Sequence, residues 1–454
     1  MAIQTTNPFN NKVLKTFDEI SDEALQHKIA QAHKAFQIWK KTDIKERARL
    51  LANVAAIMLK RKAELARLIT LEMGKLIAQS ESEVEMCASV YQYYADNAEE
   101  FLKDKPLKVK TGKAFVRYTP TGIIFGVEPW NFPYNQVGRL AAPNIAAGNV
   151  IMIKHASNVP QCAQAIEDIF REAGAIEGIY TNLFLSAKRV AALAEDERIT
   201  GMSLTGSEKA GSSLAEAAGK NLKKSVLELG GSDAFIILDD ADIDLAVEKA
   251  VLGRFSNTGQ ACTSSKRIIA VEAIADAFLA KFKAKIEGLK VGDPMDPETK
   301  IGPMVSQEAV DKIAQQVDDT IKGGATLVLG GKRIDREGAF YEFTILTDIK
   351  PGMVAYSEEL FGPVASFYKV KDEQAAIALA NDSDFGLGGS VFSKDIDHAI
   401  AVAVQIETGM VFINQNSASS PELPFGGTKR SGYGRELSAL GIEEFVNKKL
   451  IRIG

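Results

Sequence analysis

Between Gly122 and Leu229 short β-branched runs alternate with helical stretches, and this order restricts the fold more than any other feature of the chain. The runs "GIIFGV", "NVIMIK", "IYTNLFL", "ITGMSL" and "SVLEL" read as strands, with "QCAQAIEDIFREAG" and "EKAGSSLAEAAG" among the helices between them. Strands that are apolar on both faces need cover on both sides, so the expected architecture is α/β with a parallel, helix-covered sheet. A second α/β series follows through "DAFIIL", "DIDLAVEKAVLGRF", "RIIAV", "IADAFLAKFKAKIEGL", "TLVLGG" and "GMVFIN". Two α/β domains in tandem fit this text better than one continuous sheet. Ahead of them, from Asp22 to about Lys103, apolar residues recur at helical spacing, with Gly74 a plausible stop. The stretch "LKVKTGKAFVRYTP" alternates about Thr111-Gly112-Lys113 and reads as a ribbon outside the main core. Near the end, "ASSPELPFGGTKRSGYGRE" reads as a long ordered loop.

A chain of 454 residues exceeds one compact core; at about 150 residues per domain it holds two or three. Apolar residues make up 46% and the net charge is −5, which gives no basic field for nucleic acid. Cys87, Cys162 and Cys262 are odd in number and lack C-x-x-C spacing, and the four histidines are dispersed. Neither a disulfide framework nor a metal site is expected. The N-terminus lacks the plan of a signal peptide, and no apolar run reaches the ~20 residues of a membrane span. A reducing cytoplasm is the simplest location.

Three residues stand out chemically. Cys262 follows Asn257-Thr258-Gly259-Gln260, a polar turn, and is either a packed thiol or a nucleophile presented at a corner. Glu228 ends an apolar strand before Gly230-Gly231 and is either a solvated strand end or a carboxylate tuned as a general base. Asn131, in "PWNFP", either caps a helix or donates its amide N–H to an oxyanion. Phe132, Gln136 and Arg139 then share one helical face, a packing stripe or a channel wall. "SLTGSEKAG" places Gly206 and Ser207 between strand and helix, where N–H groups and a hydroxyl could meet phosphate, although the pattern is not G-x-G-x-x-G and by itself is a weak signal. Lys154 ends the strand of "IMIKHAS".

In order, "PWNFP", "LTGS", "LELGGSD", "NTGQAC", "EELFGPV" and "PFGGTKRSGYGRE" resemble the aldehyde dehydrogenase family over essentially the whole chain. The resemblance implies a Rossmann-like cofactor domain from residues 1–103 and 121–229, with 431–445 returning to it. It further implies an α/β catalytic domain over 230–430 and a small β oligomerisation flap of 104–120 with 446–454. Cys262 would be the nucleophile, Asn131 with the Cys262 N–H the oxyanion hole, and Glu228 the base that hydrolyses the thioester. Lys154 would hold the cofactor ribose, Ser207 the pyrophosphate, and Glu359 and Phe361 the nicotinamide end, with a backbone contact from Trp130. Exposed flap edges need a partner, so a homodimer or homotetramer is expected.

Within the family, "KHASNVPQCAQAI" and "GRFSNTGQACTSSKR" are most similar to the bacterial members that oxidise succinate semialdehyde to succinate. The likeness gives Arg139 the remote carboxylate of the substrate, with a hydroxyl added by Ser419 or Ser420. Ser256 stands where some relatives have a second arginine, and Ser264 where some have a second cysteine. Ser157 replaces the glutamate of NAD-preferring members, which removes repulsion of a 2′-phosphate; NADP is expected to be preferred, with NAD also used. The alternatives are a dehydrogenase of other aliphatic or carboxylated aldehydes, and a non-redox cysteine hydrolase or acyltransferase. The second is disfavoured by Lys154, Ser207 and Glu359.

Overall fold

The structure, a computed structural model, describes residues 3–454. It opens on a hairpin, β1 (Ile3–Asn7) with β2 (Lys12–Phe17), and continues through α1 (Asp22–Trp39), α2 (Ile44–Lys60), α3 (Lys62–Met73) and α4 (Ile77–Phe101). Ser21 and Asp43 cap α1 and α2 by accepting from backbone N–H groups, and Gly74 ends α3 at a φ of 81°. The helical stripes put Ile29, Leu51, Leu65 and Val84 fully inside.

Next come β3 (Lys105–Leu107) and β4 (Lys113–Pro120), the latter flanked by β3 and by the C-terminal strand Val446–Ile453, all antiparallel. The chain then enters its first large sheet through β5 (Ile123–Glu128), α5 (Asn135–Ala147), β6 (Val150–His155), α6 (Pro160–Glu172), β7 (Tyr180–Asn182), β8 (Ile199–Thr205) and β9 (Lys224–Glu228). The order β9-β8-β5-β6-β7 is parallel throughout, and Gly432–Tyr433 adds an antiparallel strand beside β9. Winding runs outward from β5 in both directions, so the order reverses there. The crevice at the carboxyl ends of β5 and β8 is where such sheets bind ligands.

The second large sheet contains β10 (Ala234–Ile237), β11 (Arg267–Val271), β12 (Thr326–Leu329), β13 (Thr344–Thr347) and β14 (Val364–Val370), with Gly389–Phe392 and Phe412–Ile413. Its order is β12-β13-β14-β11-β10 followed by those two strands, parallel except at β12. Two hydrophobic interiors result: one collects α1–α6 and the first sheet, the other the second sheet and its helices. Phe425, Leu437 and Phe445 cross back into the first interior.

Candidate active site

The site is organised by the loop that leaves the helix Ile243–Phe255. Asn257, Thr258 and Gly259 all take left-handed φ values, 53°, 54° and 73°, so the chain reverses sharply before Cys262. At Gly259 a Cβ would lie 2.3 Å from the Gly362 carbonyl oxygen, which leaves room only for glycine. Beneath the loop the fully buried Arg254 donates to the carbonyls of Val364 (2.7 Å), Leu360 (2.9 Å), Gly259 (3.3 Å) and Gly362, and to Ser264 Oγ at 2.6 Å. Burial pulls its pKa down to about 9, against the opposing charge of Glu359. Lys266 Nζ donates to the carbonyls of Ala261 and Cys262, both at 2.8 Å, and pairs with Glu359 Oε1 at 3.0 Å. The backbone of Cys262 is thereby tied to the "EELFGPV" segment.

Cys262 lies where two cavities meet. The first, about 340 Å³, is lined by Trp130, Asn131, Gly206, Ser207, Glu359 and Phe361, together with Lys312 and Gln316 of the helix Gln307–Lys322. It opens over the ends of β5 and β8 and the N-terminus of the helix Glu208–Lys220, which suits an extended nucleotide. Trp130 and Phe361 face each other edge-on with ring centres 5.8 Å apart. The Thr205 hydroxyl in its wall is buried without a partner. The second cavity, about 330 Å³, is lined by Phe132, Gln136, Arg139, Ser256, Ser419 and Phe425. Cys262 and Gln136 border both.

Around the thiol, Asn131 is held in a single orientation. Its Nδ2 donates to the Gln260 carbonyl at 3.0 Å and its Oδ1 accepts from Gln136 Nε2 at 3.2 Å. A carboxamide has two N–H bonds, so one is left for a ligand in the cavity that Asn131 and Cys262 both line. Burial pushes the Cys262 thiol up to about 12, against the pull of Arg139 and Lys266.

Glu228 ends β9 with neither carboxylate oxygen hydrogen-bonded. It is one of three buried carboxyls in this state. Thr205 is in register with Glu228, and Val127 with Leu204, so Glu128, Thr205 and Glu228 sit side by side at the ends of β5, β8 and β9. Glu436, on the loop that returns from the C-terminal segment, pairs through Oε2 with Arg139 Nε at 2.7 Å, although the N–H is not aligned for a hydrogen bond. Burial, reinforced by Glu436, raises Glu128 and Glu228 well above the usual carboxylate range, and Arg139 opposes the rise. Three carboxyls around one arginine cannot all ionise, so the cluster holds protons.

Arg139 lies 4.1 Å over the Phe425 ring, paired to Glu436 on one side and with Nη2 unpartnered. The Ser419 hydroxyl is buried at the second cavity without a partner; Ser256 Oγ donates to the Leu252 carbonyl at 2.7 Å. Ser420 borders neither cavity, so the structure does not bring it to the substrate side; it lies near Glu422, whose carboxyl it helps to hold low. Ser207 Oγ accepts from Ala210 N–H at 3.4 Å, and Gly206 N–H donates to the Glu228 carbonyl at 2.9 Å. Lys154 is buried with Nζ donating to the His155 carbonyl at 3.0 Å, and Ser157 lies in a separate recess with Ile3 and Pro160. Ser264, buried, donates to the carbonyls of Gly253 and Arg254. Sequence reasoning passed over Arg254, Lys266, Glu128 and Glu436; a charged residue inside an apolar run was the only signal, carried by Glu128 in "GVEPW" and Arg254 in "VLGRF".

A sequence model described as "Aldehyde dehydrogenase family" matches residues 1–451. The chain is 48% identical to a succinate-semialdehyde dehydrogenase [NADP(+)] of Deinococcus radiodurans, over 99% of this chain and 94% of that one. It is 45% identical to succinate-semialdehyde dehydrogenase [NADP(+)] 1 of Mycobacterium tuberculosis over the full length of both. Among solved structures, that of succinic semialdehyde dehydrogenase from Streptococcus pyogenes in complex with NADP+ superimposes with a TM-score of 0.98 at 47% identity, covering 99% of each chain. That of Gox0499, concerned with cofactor and substrate selection, gives 0.99 at 51% identity over 100% of both. Fold, thiol-centred cavities and full-length likeness agree: the chain belongs to the aldehyde dehydrogenase family.

Proposed function

We propose that this protein oxidises succinate semialdehyde to succinate with NADP as the preferred acceptor. The observation that carries the reading is the thiol of Cys262 at the junction of two cavities, one shaped for a nucleotide and the other walled by the buried guanidinium of Arg139. Relatives bearing this activity in their names, at 45–48% identity over the full chain, support it.

In this reading the semialdehyde enters the second cavity, its carboxylate against the open Nη2 of Arg139 and the Ser419 hydroxyl. Pairing with Glu436 takes the Nε side of Arg139, so the substrate is received on the remaining nitrogens. The Cys262 Sγ–carbon bond forms as the thiol proton passes to the Glu228–Glu436–Glu128 cluster. Negative charge grows on the aldehyde oxygen, opposite Asn131 Nδ2 and the Cys262 N–H. A nicotinamide bound in the first cavity would supply the hydride acceptor for oxidation of the Cys262-bound aldehyde. Once its proton has passed to solvent, Glu228 takes a proton from the water that attacks the thioester; the C–S bond breaks, the Cys262 sulfur recovers a proton from the cluster, and succinate leaves. Glu359, Phe361, Trp130 and Ser207 hold the nucleotide in the first cavity. Lys154 and Ser157, outside the first cavity at and beyond the end of β6, would meet the adenosine ribose and 2′-phosphate of a nucleotide that extends past it. The first interior with its sheet serves as the nucleotide domain, the second as the catalytic domain, and the three-stranded sheet as the surface for homo-oligomer assembly in a reducing compartment.

A panel of neutral and carboxylated aldehydes assayed with NADP and NAD tests the assignment. The highest kcat/KM is expected for succinate semialdehyde with NADP. Arg139→Ala should lower kcat/KM for carboxylated aldehydes about 100-fold more than for neutral ones; equal losses, or a clear preference for NAD, would contradict the reading.

A further inference from the structure

Lys75 and Glu83 form a buried ion pair in the wall of the second cavity, each side chain only 1% exposed. Lys75 follows the turn at Gly74 and Glu83 lies in α4, so both come from the helical layer outside the sheet. Lys75 Nζ and Glu83 Oε1 grip the segment 131–135, while Glu83 Oε2 closes the pair itself. Lys75 Nζ, besides meeting Glu83 Oε2, donates to the Asn131 carbonyl at 2.8 Å and stands 3.7 Å from the centre of the Phe132 ring. Glu83 Oε1 accepts from Tyr134 N–H at 2.9 Å and Asn135 N–H at 3.3 Å, the otherwise open first turn of α5. From the other side, Asn257 Nδ2 donates to the same Asn131 carbonyl at 3.1 Å. That second bond joins the grip to the cysteine loop.

A buried pair of this kind adds little net stability over apolar side chains of similar size. Its connectivity, by contrast, fixes the peptide from which the Asn131 carboxamide springs and the start of the helix that bears Gln136 and Arg139. We propose that Lys75–Glu83 is a positioning pair for the oxyanion arm: it holds the Asn131 Nδ2 where the aldehyde oxygen acquires charge. This rests on Asn131 being the oxyanion donor. A displacement of about 1 Å at such a group costs on the order of 100-fold in rate, and it acts on the reacting centre rather than on the distant carboxylate.

The test uses the full-length enzyme with Lys75→Met, Glu83→Gln, the double variant Lys75→Met/Glu83→Gln, the charge-preserving Glu83→Asp, and Asn131→Ala alone and combined with each. The single charge removals should lower Tm by stranding a buried charge, and the double variant should regain most of it. In every variant that folds, kcat should fall about 10- to 100-fold for succinate semialdehyde and for a neutral aldehyde alike, with KM changed far less. Added to Asn131→Ala, the same changes should cost nothing further in kcat, because both act through one donor. A folded double variant or Glu83→Asp enzyme with parental kcat, or losses that multiply with that of Asn131→Ala, would overturn the proposal. Parental kcat in Asn131→Ala alone would instead overturn the oxyanion assignment beneath it.

Discussion

Cys262 and Glu228 are both held in their idle protonation states by the same cause, burial without hydrogen-bond partners for the charged form. Reactivity in this site therefore waits on a ligand. In the ligand-free enzyme, alkylation of Cys262 by iodoacetamide should climb about tenfold per pH unit from neutral to alkaline pH, since thiolate is always the minor form; an early plateau would contradict this. Glu128 gives a stability prediction whose sign is fixed. Its carboxyl sits above its ordinary value of 4.5 in the folded protein, so the fold keeps a proton that the unfolded chain releases. Stability from this group is thus intact below that value and lost as pH rises through the raised one. Glu128→Gln should raise Tm most at alkaline pH, with the difference closing as pH falls toward the unfolded value; a uniform shift would count against it. Local text left Cys262, Asn131 and Glu228 open between packing and chemistry, and only the ordered set of motifs singled them out; the structure buries Asn131 and Glu228 and sets Cys262 where two cavities meet. Glu436 and Lys266 were not singled out, since "GYGRE" and "SSKR" read as solvated charge until tertiary packing buries them.

At the scale of elements, the turn 257–259 and Arg254 set where the thiol points. Gly259→Ala would need a left-handed alanine with its Cβ against the Gly362 carbonyl. Urea unfolding should show a loss of at least about 2 kcal/mol, together with a fall in kcat as the loop shifts; unchanged stability would mean the reversal is not strained by a side chain. Most strands could be read from their apolar runs, with "NVIMIK" and "ITGMSL" appearing as β6 and β8. "IYTNLFL" shortens to Tyr180–Asn182, an edge strand; beyond it Leu183 still donates to the Ile153 carbonyl of β6, while Phe184 turns its carbonyl to Ile20. "TLVLGG" pairs antiparallel at the edge of the second sheet, a choice between edge directions that local pattern does not encode. Nor did pattern reveal that β5 lies at the reversal of strand order, because that depends on which crossovers pack together.

For the molecule as a whole, the sheet of β3, β4 and Val446–Ile453 leaves Leu107, Leu450 and Ile453 exposed, with Leu450 60% accessible. Such a surface needs cover. Analytical ultracentrifugation should find a dimer or tetramer, and Leu450→Asp should shift it toward monomer; a monomeric parent would remove the oligomer from the account. The central claim is that one thiol carries the acyl group and one carboxylate releases it. Rapid mixing of Glu228→Gln enzyme with succinate semialdehyde and NADP tests it most directly. The expected result is a burst of about one reduced nicotinamide per active site, then a stall, with a succinyl group on Cys262 by mass spectrometry. Sustained turnover at the parental rate, or a burst without that adduct, would contradict it.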